Sequence, residues 1–245
     1  MDVKTFINNY KEAFGEGAEL PVVFEYADSP VNDDLGKING CFFKAFETLR
    51  KGESISLSVE TLGCMGGKFY TGFSEMHPQI PHFVSLKEKY KKTPEMVHEF
   101  IKNLGVPMTD KKFLNISPID KIENFNHILG LIFFATPDML SGLTTWAFFD
   151  NNSDDAVTAK FGSGCSAIIT EIVVENGREG RRTFIGLFDP SARPYLEPNI
   201  LTFSIPMSRF KEMYYTMRQC SLFDTHAWTK VRNRITSNKS INHGS

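Results

Sequence analysis

The longest apolar run in the chain, Ile128-Leu129-Gly130-Leu131-Ile132-Phe133-Phe134-Ala135, constrains the fold more than any other segment. It offers water no polar side chain, so it reads as a fully buried strand, and it falls well short of the roughly 20 residues a membrane-spanning helix requires. Such a strand needs cover, which the flanking segments provide. Val3 to Phe14 places Phe6, Ile7, Tyr10 and Phe14 at helical spacing before Gly15 and Gly17, and Pro21 to Tyr26 reads as a strand. A helix follows from about Gly40 to Arg50, with Asn39 as cap and Phe42, Phe43, Phe46 and Leu49 on one side. Ser54 to Val59 alternates polar and apolar residues, the period of a strand with one buried face.

Beyond it, Phe69 to Phe73 and His77 to His82 read as irregular. Lys87 to Leu104 predicts a short helix and then a longer one from Pro94, with Thr93 as cap. Phe113 to Ile116 is a short strand, and Thr136-Pro137 opens a helix to about Phe149. Val157 to Phe161 is a strand, Ser163 a cap, and Cys165 to Val174 a helix stopped by Gly177. Arg182 to Phe188 and Ile200 to Ile205 are strands around the loop Asp189 to Pro194, and Ser208 to about Phe223 is the last helix. The tail from Asn233 is polar and reads as mobile.

Two segments repeat one order of parts: glycine-cysteine, helix, glycine stop, strand, then a loop rich in glycine or proline. They are Gly40 to Lys68 and Gly164 to Arg193, with 11 residues from Cys41 to Gly52 and 12 from Cys165 to Gly177. A strand precedes each, which makes each a β-α-β unit. The expectation is an α+β fold with a mixed α/β sheet and two pseudo-repeated β-α-β halves packed with helices. The chain reads as one domain over 1–245, with halves of about 1–125 and 126–232 and a tail over 233–245; duplication and two ordinary β-α-β units both fit.

Composition narrows the function. A chain of 245 residues buries roughly 70–75% of its extended surface and needs no staples. The start, Met1-Asp2-Val3-Lys4-Thr5, has no basic segment before an apolar one, so the expected location is cytoplasmic and the four cysteines read as reduced thiols, ligands or core filler. A net charge of −2 argues against nucleic acid or an acidic membrane surface as partner. A small-molecule ligand and a homo-oligomer remain open, and no cofactor is identified.

The chemistry concentrates in three glycine-cysteine segments. Cys41 and Cys165 fall in the first turn of predicted helices, where unpaired N–H groups favour a thiolate. Cys64 stands in Leu62-Gly63-Cys64-Met65-Gly66-Gly67-Lys68, where glycines let backbone N–H groups approach a ligand and Lys68 adds charge. Cys41, Cys64 and Cys165 are therefore the candidate catalytic or ligating residues, converging on a metal, an iron-sulfur centre or a redox-active small molecule. The counter-reading is that a buried cysteine is a small inert hydrophobe, and Cys220, spaced with Phe210, Met213 and Met217, fits that reading best. No C-x-x-C or close Cys-His pair occurs, so a metal would need ligands assembled by the fold, to which His77 and His82 could add.

The alternative is a non-catalytic module for a nucleotide or anionic metabolite, using Gly63, Gly66, Gly67 and Lys68 together with Gly162 and Gly164. Gly162-x-Gly164-x-x-Ala167 matches a loose dinucleotide fingerprint with Asp189 as its acidic residue, and Arg193 could clamp an anion. Arg178, Arg181 and Arg182 read as solvated surface. A structural or subunit-interaction protein is the third reading. No Gly-x-Ser-x-Gly or His-Glu-x-x-His occurs.

The set Gly40-Cys41 with Ala45 and Gly52, Cys64-Met65-Gly66-Gly67, Phe161-Gly162-Ser163-Gly164-Cys165 and Leu201-Thr202-Phe203-Ser204-Ile205-Pro206 resembles the prokaryotic family filed as domain of unknown function 169. The resemblance runs from Pro21 to about Met217. It implies that these glycine-cysteine positions belong to one pattern, and it carries no activity or catalytic residue with it.

Overall fold

The computed structural model describes residues 1–32, 37–160 and 162–242, with side chains described as far as Ile235. Phe161, at the end of one predicted strand, and residues 243–245 of the expected tail lie outside the described residues.

The chain forms an α+β fold around one seven-stranded mixed sheet. The strands are β1 (Val22–Ala27), β2 (Ile55–Leu57), β3 (Phe113–Pro118), β4 (Gly130–Ala135), β5 (Val157–Thr158), β6 (Thr183–Gly186) and β7 (Leu201–Pro206), in the order β2-β3-β1-β4-β7-β6-β5. The apolar run is the central strand β4, and both of its faces are buried. Leu131, Phe133 and Ala135 point into one core and Ile132 and Phe134 into the other, as the two-residue period of a strand dictates. Each of these leucine, isoleucine and phenylalanine side chains contributes about 1.5–3 kcal/mol on burial.

Helices cover both faces. On one side lie α1 (Val3–Phe14), α6 (Pro137–Phe148), α8 (Met207–Thr216) and α9 (His226–Asn242), packed through Phe6, Phe14, Trp146, Phe210 and Trp228. Indole N–H groups tie this layer together: Trp146 donates to the Met213 carbonyl at 2.9 Å and Trp228 to the Ala13 carbonyl at 2.6 Å. On the other side lie α2 (Ala45–Arg50), α3 (Met65–Tyr70), α4 (Ile80–His82), α5 (Pro94–Leu104) and α7 (Glu171–Gly177), over Phe42, Phe46, Leu114, Ile168 and Ile172. The predicted caps at Thr93 and Thr136 each accept a backbone N–H at 3.4 Å.

Adjacent strands are antiparallel except β5 and β6, which pair in parallel around α7 as a β-α-β unit. Strands β1 and β2, joined through α2, both run antiparallel to β3, which lies between them. Outward from the β1–β4 pair the sheet reads β1-β3-β2 on one side and β4-β7-β6 on the other. On each side the last strand in sequence has inserted between two earlier parallel ones.

Local structure departs from the sequence reading in five places. Residues Met65–Tyr70 are helical, not irregular, despite two glycines, and α4 continues as a π-helical turn over Phe83–Lys87. Residues 88–93 form no helix, with Lys89 at φ 59°. A second π-helical turn, Ser166–Thr170, precedes α7. The polar segment from Asn233 continues α9 to Asn242, and Ile235 packs against the first core.

Candidate functional site

The segment leading to Cys41 and the segment leading to Cys64 run side by side. Ile38 and Leu62 form a parallel bridge, the Ile38 N–H donates to the Thr61 carbonyl at 2.9 Å, and the Gly63 N–H returns to the Ile38 carbonyl at 3.0 Å. Residue 63 has to be glycine for this approach: a Cβ there would stand 2.7 Å from the Ile38 oxygen. Main-chain pairing thus brings Cys41 and Cys64 to one place. Cys64 then caps α3, its sulfur accepting the Gly67 N–H at 3.3 Å.

Both thiols are half-buried and line a cavity of about 440 Å³ in the layer of α3, α4 and α5. Gly66, Gly162 and Ser163 also line it, so all three glycine-cysteine segments reach the same space. Its apolar wall includes Ile80, Val84, Val97 and Phe100. Phe83 and Val84, in the first π-helical turn, line it too, and the second such turn begins three residues after Ser163; π-helical turns are often found at functional sites.

Cys165 lies behind this wall, buried, with its sulfur 3.3 Å from the Ser163 hydroxyl. Gly164, beside it, fits tightly: a Cβ would fall 2.6 Å from the Phe43 ring and 3.1 Å from Ala192. The expected lowering of the Cys41 and Cys165 thiols does not occur. Burial pushes the Cys165 thiol far up, and the nearby Cys64, Cys41 and Asp189 push in the same direction. Cys41 is also raised, first by burial and then by Cys64 and Asp189, with its Phe43 N–H contact offsetting only part. Cys41 precedes its 3-10 turn in extended conformation and is not inside the helix.

Asp189 is the polar centre of the site. It is buried, and one carboxylate oxygen accepts the Ser191 N–H at 2.9 Å and the Ser191 hydroxyl at 2.8 Å. The other accepts the Gly164 N–H at 3.3 Å. In the dinucleotide pattern a phosphate would take that N–H; here the protein's own carboxylate does, so the fingerprint at Gly162 is satisfied internally. Further polar groups, Glu88, Tyr90 and Ser191, stand along the cavity wall. Burial and then the Glu88 carboxylate raise the Tyr90 phenol, with Asp189 acting in the same direction. Burial, and after it Cys165 and Asp189, also raises the Tyr70 phenol.

The remaining expected residues lie elsewhere. Gly63 belongs to the backbone bridge and Gly67 to the cap of α3, and Lys68 does not line the cavity. Arg193 is directed to backbone carbonyls of Glu197, Pro198 and Ile200, so it fastens the loop before β7. His77 and His82 are exposed, and Cys220 is buried in the opposite core. Among the described residues no three His, Cys, Asp or Glu side chains are grouped to hold a metal ion. Glu88, Tyr90, Lys91, Ser191 and Tyr195 line the cavity and were not singled out from sequence. Between Glu88 and Tyr90 the backbone takes the left-handed conformation at Lys89, φ 59°.

No helix among the described residues is long and apolar enough to cross a membrane. No curated protein and no solved structure matches the chain. A family model, DUF169, described as "Uncharacterised ArCR", matches residues 13–215 and so spans every glycine-cysteine segment that builds the cavity. The chain belongs to the DUF169 family of uncharacterised proteins.

Proposed function

We propose that this protein binds a small organic molecule in the cavity beneath α4 and α5, with Cys41 and Cys64 in contact with the ligand. The observation that carries this reading is the convergence of three sequence-distant glycine-cysteine segments on one largely apolar space of about 440 Å³. That volume lies in the range of small-molecule sites, which pair apolar walls with a few placed polar groups. The polar groups here are the two thiols, Asp189, Ser191 and the Tyr90–Glu88 pair. The metal and iron-sulfur options have less support, because the thiols are not grouped with further ligands among the described residues. An anionic ligand also has less support, since both Asp189 and Glu88 face the space.

The test is thiol mapping on the native protein with N-ethylmaleimide, followed by peptide mass spectrometry. Modification of Cys64 and Cys41 ahead of Cys165 and Cys220, with protection by compounds that raise the melting temperature, is the expected result. Equal labelling of all four thiols, or stabilising compounds that leave Cys64 labelling unchanged, rejects this site.

A further inference from the structure

Building on that reading of the cavity, we infer that its ligand is an organic ammonium ion, an amine carrying an apolar body. Three features of the wall point to a cation. The first is aromatic content: Tyr70, Phe83, Tyr90, Phe100 and Tyr195 all line the space, and ring faces carry the negative end of a quadrupole that attracts ammonium groups. One of these rings already holds a cation, since the Lys91 ammonium lies 5.5 Å from the Phe100 centroid. The face of Phe100 is therefore presented in a geometry that a positive charge accepts.

The second feature is charge. The ionisable acids lining the cavity are Glu88 and Asp189, and Lys91 is the basic residue among the described lining residues, so the lining carries one net negative charge. Thiols and phenols are neutral or negative in either protonation state, so none of those around Asp189 offsets it. The third is hydrogen-bonding capacity. Asp189 receives three hydrogen bonds from Gly164 and Ser191, and a carboxylate has about four acceptor positions. One position remains on the oxygen that Gly164 approaches at the longer distance. An ammonium N–H supplies what that position lacks, whereas a carboxylate or phosphate ligand would meet two like charges. Ile80, Val84 and Val97 line the rest of the space and fit an apolar body.

Phenylbutylamine, phenylbutanol and phenylbutyrate share one apolar body and differ in head-group charge. Titrated calorimetrically into the full chain near neutral pH, the ammonium should bind at least about tenfold more tightly than the alcohol, and the carboxylate least. Asp189→Asn and Glu88→Gln should each shrink the ammonium-over-alcohol affinity ratio several-fold, the ratio being the readout because both residues line the cavity. Because Asp189 also holds a helix start, Glu88→Gln is the variant free of that structural burden. Alcohol or carboxylate binding as tightly as the ammonium overturns the inference and leaves the small-molecule cavity standing. Failure of all three probes to bind, together with undiminished Cys64 labelling in their presence, overturns both.

Discussion

The carboxylate of Asp189 accepts the backbone N–H of Gly164 at 3.3 Å, across 25 residues of chain. This bond pins the loop after β6 onto the start of the helix that carries Cys165, so the floor of the cavity is held by a side chain that also lines it.

Removing that carboxylate leaves buried donors without a partner. Asp189→Ala should destabilise the fold by about 1–3 kcal/mol in urea unfolding, and Asp189→Asn by less, because the amide oxygen still accepts. Equal stability of Asp189→Ala and wild type would show that water satisfies Gly164 and Ser191 instead.

Gly164 fits where no side chain does. A methyl group at this position meets the Phe43 ring at 2.6 Å, so Gly164→Ala should cost about 1–3 kcal/mol. Gly177→Ala is the matched control: nothing lies within 4 Å of a Cβ there, at the end of α7, and the change should be neutral or stabilising by up to about 1 kcal/mol. Chemical denaturation of the two variants side by side decides the point.

Burial raises the Cys41 thiol, which lowers its thiolate fraction at any given pH. Its alkylation rate should therefore reach half-maximum above the value of about 8.5 typical of a free cysteine. Site-resolved labelling across a pH series, with Cys41→Ser to assign the signal, measures this. A midpoint at or below that of free cysteine contradicts the burial argument.

The fully buried Cys165 thiol makes a prediction about alkaline stability. Its folded pKa lies above its unfolded value, so the folded state binds more protons once pH exceeds about 8.5, and stability falls as pH rises from there. The slope contributed by one such group approaches about 1.4 kcal/mol per pH unit, and the buried phenols of Tyr10, Tyr26 and Tyr70 add theirs from about pH 10. Cys165→Ala should flatten the first part of that decline. Parallel stability curves for variant and wild type between about pH 8 and 10 refute the assignment.

The sheet and most helices were legible because their signals are local. An unbroken apolar run fixed β4 at the centre, and Thr93-Pro94 and Thr136-Pro137 marked two helix starts that the structure places at the same residues. The helix Met65–Tyr70 was hidden because Gly66 and Gly67 are poor helix formers in isolation; the Cys64 sulfur cap and burial of Phe69 and Tyr70 outweigh that propensity. The glycine-cysteine segments pointed to Cys41 and Cys64, which line the cavity. They could not show that Cys165 sits behind the wall, because only the packing of Phe43 and Ala192 against Gly164 decides which side of the loop is open. Tyr90 and Glu88 were masked within a charged run whose periodicity resembles an exposed helix.

The bridge between Ile38 and Leu62 lies early in the chain, and the bond between Asp189 and Gly164 lies well after it. A first half that folds early can set the two thiols side by side, yet the acidic floor arrives only with the segment after β6. A chain truncated before Asp189 would keep Cys41 and Cys64 and lack the carboxylate that holds Gly164, so the lining of the cavity is complete only when both parts of the chain are present.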